Sequence, residues 1–119
     1  MASFRRERVG EQLLSFIATE LRELSDARLE LVTLTAIKVS PDLKVATFYW
    51  SGGLPADAKE REARIRAVND AFKGVTGLLK RKIAQNLELR YIPELRFHFD
   101  EVFEKGSRID ELLAKVGQR

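Results

Sequence analysis

Helices covering one face of a three-stranded sheet, an α+β domain, is the architecture this chain encodes, and three patterns carry that reading. Apolar residues recur every three or four positions near the start and again through the middle, which marks one-faced helices. Two β-branched runs flank Ser40-Pro41-Asp42, a turn short enough to make them an antiparallel hairpin. A further alternating run, Leu95, Phe97 and Phe99, follows Pro93. Elements that are apolar on one side only need a common core, and helices on one face of a sheet satisfy that economically.

Each element has its own local reason. Val9, Leu13, Phe16, Ile17, Leu21 and Leu24 form the first helical stripe, closed by Ser25-Asp26. Leu31 to Val39 and Lys44 to Ser51 read as strands; proline presets the turn's φ and Asp42 caps it. Ala46, Phe48 and Trp50 form the more apolar face of the second strand and belong on the core, while Tyr49 belongs on the uncovered face and is suited to stack on a base. Gly52-Gly53-Leu54-Pro55 breaks the strand as a linker-like stretch, and Asp57 to Phe72 is a helix with balanced charges. Glu94 to Val102 is the third strand, with Arg96, His98 and Asp100 facing away from the core. Gly106-Ser107 ends it; Ser107 with Asp110 resembles a capping box before a closing helix that carries Ile109, Leu112, Leu113 and Val116. The order is α-β-β-α-α-β plus a short C-terminal helix: one domain over 1–119 with a helical extension at 107–116.

Composition narrows the chemistry. The 119 residues suit one domain with a real core. Without cysteine, disulfides, thiolate zinc sites and thiol nucleophiles are excluded. His98 is the only histidine, so a histidine pair is excluded too. Asp42, Glu94 and Asp100 have no nucleophile or metal-ligand set beside them; they read as a turn cap, a strand-edge charge and a solvent-facing residue. No catalytic, cofactor or metal site is expected. The chain has no apolar run of about 18 residues that would span a bilayer. Its N-terminus lacks a secretory h-region, and Glu7 and Glu11 argue against a transit peptide. A cytoplasmic protein without a membrane partner is expected.

The functional signal is charge. Between Lys73 and Arg90 the chain carries Lys73, Lys80, Arg81, Lys82 and Arg90 against Glu88 alone, a net of +4, when the whole chain is only +3. Clustered cations attract phosphate, and Gly74 and Gly77 bare the backbone beside them. Gly74-Val75-Thr76-Gly77 spells the GxxG of KH domains, where it is a loop that clamps a nucleic-acid backbone. Periodicity disagrees with a loop. Ile65, Val68, Phe72, Val75, Leu79, Ile83 and Leu87 step by three or four straight across the glycines, which predicts one bent helix with both glycines exposed opposite the stripe. The stretch also lacks the Lys-Ser/Thr pair of a phosphate-binding nucleotide loop. Arg5, Arg6 and Arg8 form a second basic cluster, either a solvated terminus or a nucleic-acid-binding arm. The nucleic-acid contacts expected are Lys73, Gly74, Thr76, Gly77, Lys80, Arg81 and Arg90, with Arg5, Arg6 and Arg8.

Several segments in order resemble bacterial ribosome-binding factor A. They are Arg8-Val9; Asp26-Ala27-Arg28; Val32-Thr33-Leu34-Thr35; Ser40-Pro41-Asp42-Leu43-Lys44 with Ala46; Pro93-Glu94-Leu95-Arg96-Phe97 and Asp100; then Gly106, Ile109 and Leu112-Leu113. The resemblance implies a type II KH-like fold in which an Ala-x-Gly helix kink replaces the GxxG loop. Here the aligned triplet is Val75-Thr76-Gly77, with Gly74 added in front. Asp26-Ala27-Arg28 departs from a usual Asp-Pro-Arg, and the long basic tail of some members is missing. The resemblance further implies a non-enzymatic assembly factor that binds the immature 30S subunit and assists late maturation of 16S rRNA, with an assembly GTPase as a further partner. A monomer is expected. Two alternatives stay open: a protein-interaction module docking a partner on its open sheet face, and a KH-like binder of another RNA.

Overall fold

The computed structural model of the protein describes residues 2–105. Helix α1 spans Ala2–Glu23, and a 3-10 turn follows at Ala27–Leu29. Strand β1 is Thr33–Val39, β2 is Val45–Ser51, helix α2 is Ala58–Asn86 and β3 is Glu94–Phe99. Strand β2 lies in the middle of the sheet, antiparallel to β1 and parallel to β3. A parallel neighbour needs a long crossover, which α2 supplies with its 29 residues. This is the KH-like arrangement of helices and sheet that the resemblance implies.

The core lies between the helices and one sheet face. Ala46, Phe48 and Trp50 are completely buried, as their alternation requires, together with Leu13 and Ile17 of α1 and Val68, Leu79 and Ile83 of α2. An aromatic ladder ties the layers together. Phe97 stacks between Phe48, at 5.1 Å, and Phe72, at 4.1 Å, while Trp50 packs against Phe72 and Phe99. The indole N–H of Trp50 donates to Asn69 Oδ1 at 3.0 Å, so the largest core side chain keeps its one polar atom satisfied.

Local chemistry fixes the boundaries. The hairpin turn is built as expected: Ser40 Oγ donates to Asp42 Oδ1 at 2.7 Å, and that same oxygen accepts from the Lys44 N–H at 3.0 Å. These bonds, Ser40's first, hold the Asp42 carboxyl below the ordinary 3.8. Asp57 caps α2 by accepting from the Glu60 N–H at 3.1 Å.

Four features differ from the sequence reading by more than one residue's placement. Strand β1 starts at Thr33 rather than Leu31, because Asp26 caps the 3-10 turn and grips Arg28 through both carboxylate oxygens, at 3.0 and 2.8 Å. Strand β3 ends at Phe99 rather than Val102. Asp100 is half-buried and engaged rather than simply solvent-facing; it accepts from Thr35 Oγ1 at 2.6 Å and from the Phe103 N–H at 3.0 Å, and residues 101–105 are helical. Gly52-Gly53 is a packed turn rather than a linker. With φ of 101° and 66°, these glycines press so close to Leu31 that a Cβ on Gly52 would lie 2.5 Å from its carbonyl oxygen. Finally, α2 is one helix, so the two helices counted between β2 and β3 become one. The capping box at Ser107 and Asp110 and the helix at 107–116 lie outside the described residues.

Candidate nucleic-acid interface

The interface begins with the phase of α2. Val68, Phe72, Leu79 and Ile83 are buried and Val75 is half-buried, so the apolar stripe runs unbroken past the glycines, as predicted. Gly74 and Gly77 are both exposed on the opposite side, and a Cβ at either would meet nothing within 4 Å. Neither glycine is therefore there to admit a packed neighbour. Each still costs the helix about 1 kcal/mol relative to alanine. Lys73 and Arg81 are exposed beside them, and Lys80 is half-exposed. The hydroxyl of Thr76 donates to the Phe72 carbonyl at 2.7 Å, so it offers a ligand an acceptor rather than a donor.

A ridge of cations runs along this face of α2, interrupted by acids in its first half. Lys59, Arg66, Lys73 and Lys80 recur every seven residues, a repeat that drifts only about 20° per step around an α-helix. They span about 32 Å at 1.5 Å per residue. Exposed Glu62 and Asp70 lie on the same side, three or four residues from Lys59, Arg66 and Lys73, so the charge is uncompensated only in the second half of the ridge, at Lys80 and Arg81 and beside Lys73. Lys82, by contrast, turns away from this face. Its Nζ meets Glu20 Oε2 of α1 at 3.2 Å, an ionic contact rather than a well-aligned hydrogen bond.

The other expected residues fall in two places. Lys73 and Thr76 border a groove between α2 and β3, whose far side carries Arg96 and His98. Neither Arg96 nor His98 stands out by spacing; the parallel β2–β3 pairing is what brings them beside the ridge. Arg5 and Arg8 line a different cleft with Arg90 and Tyr91, so the N-terminal cluster and the end of the basic stretch converge although about 80 residues separate them. Arg6 faces the other way, toward Ile37, Lys38 and Val39 of β1. On the open sheet face Tyr49 and His98 lie side by side at 6.3 Å, with Tyr49 placed as predicted. No helix among the described residues is long and apolar enough to cross a membrane.

Comparison with known proteins agrees with the fold. Solved structures of the same shape include ribosome-binding factor A from Thermus thermophilus, with a TM-score of 0.65 at 23% identity over 79% of this chain and 93% of that one. A Thermotoga maritima protein described as a putative ribosome binding factor A also has a TM-score of 0.65, at 26% identity over 80% of this chain and 86% of that one. A Thermus thermophilus RbfA homology model fitted into the cryo-EM map of a 30S-RbfA complex has a TM-score of 0.58 at 25% identity, covering 75% of this chain and 88% of that one. Among curated proteins, ribosome-binding factor A of Desulfatibacillum aliphaticivorans is 36% identical over 95% of this chain and 88% of its own length. The Desulfosudis oleivorans protein of that name is 37% identical over 98% of this chain and 87% of its own. The sequence model of the family described as ribosome-binding factor A matches residues 5–113, and this chain belongs to that family.

Proposed function

We propose that this protein binds the free, immature 30S ribosomal subunit in the cytoplasm and assists late maturation and processing of its 16S rRNA. The observation that carries the reading is the exposed face of α2, where two glycines without a packing role lie among Lys73, Lys80 and Arg81. A face of that kind lets an RNA backbone approach the helix closely while the cations meet its phosphates. The family membership and the neighbour fitted into a 30S complex support a ribosomal target over another RNA. On this reading the chain acts by binding, as a monomer, and has no catalytic step of its own; an assembly GTPase is a further partner.

Sedimentation of a cell lysate tests the reading. The protein should travel with free small subunits and be scarce on translating 70S ribosomes. Even distribution over polysomes, or absence from every ribosomal fraction, would contradict it.

A further inference from the structure

The cleft shared by Arg5, Arg8, Arg90 and Tyr91 has features that a simple phosphate ridge does not need. It is concave, with a volume of about 410 Å³. That lies at the lower end of the range for small-ligand sites, about 300–1,000 Å³, and suits one nucleotide rather than a duplex. Its cations come from two elements, α1 and the segment after α2. Tyr91 is 69% exposed, an aromatic ring left in water, and the Arg90 guanidinium sits 5.5 Å from its centroid. Val9, Leu43 and Leu89 add apolar wall.

We infer that this cleft holds one unstacked nucleotide of a single-stranded RNA segment, its base on Tyr91 and its phosphate between Arg5 and Arg8. This rests on the RNA-binding reading above and extends it from phosphate contact to base contact. Aromatic rings stack on any base, and guanidinium groups supply the matching phosphate contacts. Two carboxylates also line the cleft. Asp42 is engaged by the hairpin turn through Oδ1. Exposed Glu88 is an acceptor for a base amino group, which adenine, cytosine and guanine have and uracil lacks.

NMR titration of the full chain with AMP, UMP and inorganic phosphate tests the inference. AMP should shift the Tyr91 ring and the Val9 and Leu89 methyls, UMP should bind more weakly, and phosphate should move only the arginine signals. Tyr91→Ala should weaken AMP about 5- to 150-fold, the range for loss of one stacked base, while Tyr91→Phe keeps it. Arg5→Ala/Arg8→Ala should weaken both AMP and phosphate. AMP shifts no larger than those of phosphate, or AMP affinity within twofold of the parent in Tyr91→Ala, would overturn the inference. A Lys80→Ala/Arg81→Ala chain separates the two readings. If it loses subunit binding while AMP ignores the cleft, only the nucleotide site fails. If AMP binds as described but the parent chain does not bind free 30S subunits, the ribosomal reading fails and the nucleotide site stands.

Discussion

Replacing Gly74 and Gly77 by alanine should make the protein more stable and worse at its task. Both lie inside α2, neither has a positive φ, and a Cβ at either finds open space. Each change therefore gains the helix propensity of alanine without strain, about 1 kcal/mol apiece. Unfolding entropy near 2.1 cal/mol/K per residue gives about 0.2 kcal/mol/K for a domain of this size, so the pair should raise Tm by about 8–10 °C. Binding should move the other way. A methyl group holds an approaching backbone off by about 1.5 Å, one C–C bond. Stretching a lysine–phosphate separation from about 4 to about 5.5 Å costs about 1 kcal/mol at an effective dielectric of 20, or about fivefold in affinity for each pair affected. Circular dichroism melts and 30S-binding titrations on the same preparations measure both effects. A stabilised double variant that binds like the parent would refute the argument that these glycines exist for RNA approach. A variant that is not stabilised would show that the helix is not regular there.

Other consequences concern the scaffold. Leu79→Ala should lose about 2–5 kcal/mol in denaturant unfolding, since Leu79 is fully buried under the ridge; a loss below about 1 kcal/mol would contradict that packing. Gly52→Ala should cost more than the roughly 1 kcal/mol of an ordinary substitution, because a Cβ meets the Leu31 carbonyl at a positive φ; an unchanged melt would disprove the close approach. Asp26 and Asp42 are both held below 3.8, Asp26 chiefly by the Arg28 side chain and Asp42 chiefly by the Ser40 hydroxyl. A depressed carboxyl contributes stability above its unfolded pKa and loses it as pH falls through the folded value. Carboxyl NMR should therefore show both titrating below 3.8, with their contribution intact at neutral pH; midpoints at or above 3.8 would remove the turn bonds from the account.

Which parts were legible in the residues follows from the range of the forces involved. The stripe from Ile65 to Leu87 identified one continuous helix because burial at steps of three and four is a local pattern. The core face of β2 and the Ser40-Pro41-Asp42 turn were readable for the same reason. Leu31 and Val32 looked like strand, yet the Asp26–Arg28 grip keeps them in a turn region before β1. Asp100 looked like an outward strand residue, yet its carboxylate both caps the helical turn after β3 and binds Thr35, 65 residues away in sequence. The interface divides similarly. Lys73, Lys80 and Arg81 could be placed by helix phase alone, whereas two features depend on tertiary packing: the meeting of Arg5 and Arg8 with Arg90, and the pairing of Lys82 with Glu20. Tyr91 gave no periodic signal; its exposure beside three arginines becomes visible only in the fold.

The central claim is that the exposed cations of α2 meet rRNA phosphates, and the salt dependence of 30S binding tests it most directly. Three or four contacts on single-stranded RNA predict a log–log slope of roughly −2 to −3, at about 0.7 per phosphate. Lys80→Ala/Arg81→Ala should reduce that slope by about 1 to 1.5. The fold should be little changed, since exposed substitutions of this kind usually cost about 0.5 kcal/mol or less. A folded Lys80→Ala/Arg81→Ala variant that binds 30S subunits with the parent's affinity and the parent's slope would contradict the account.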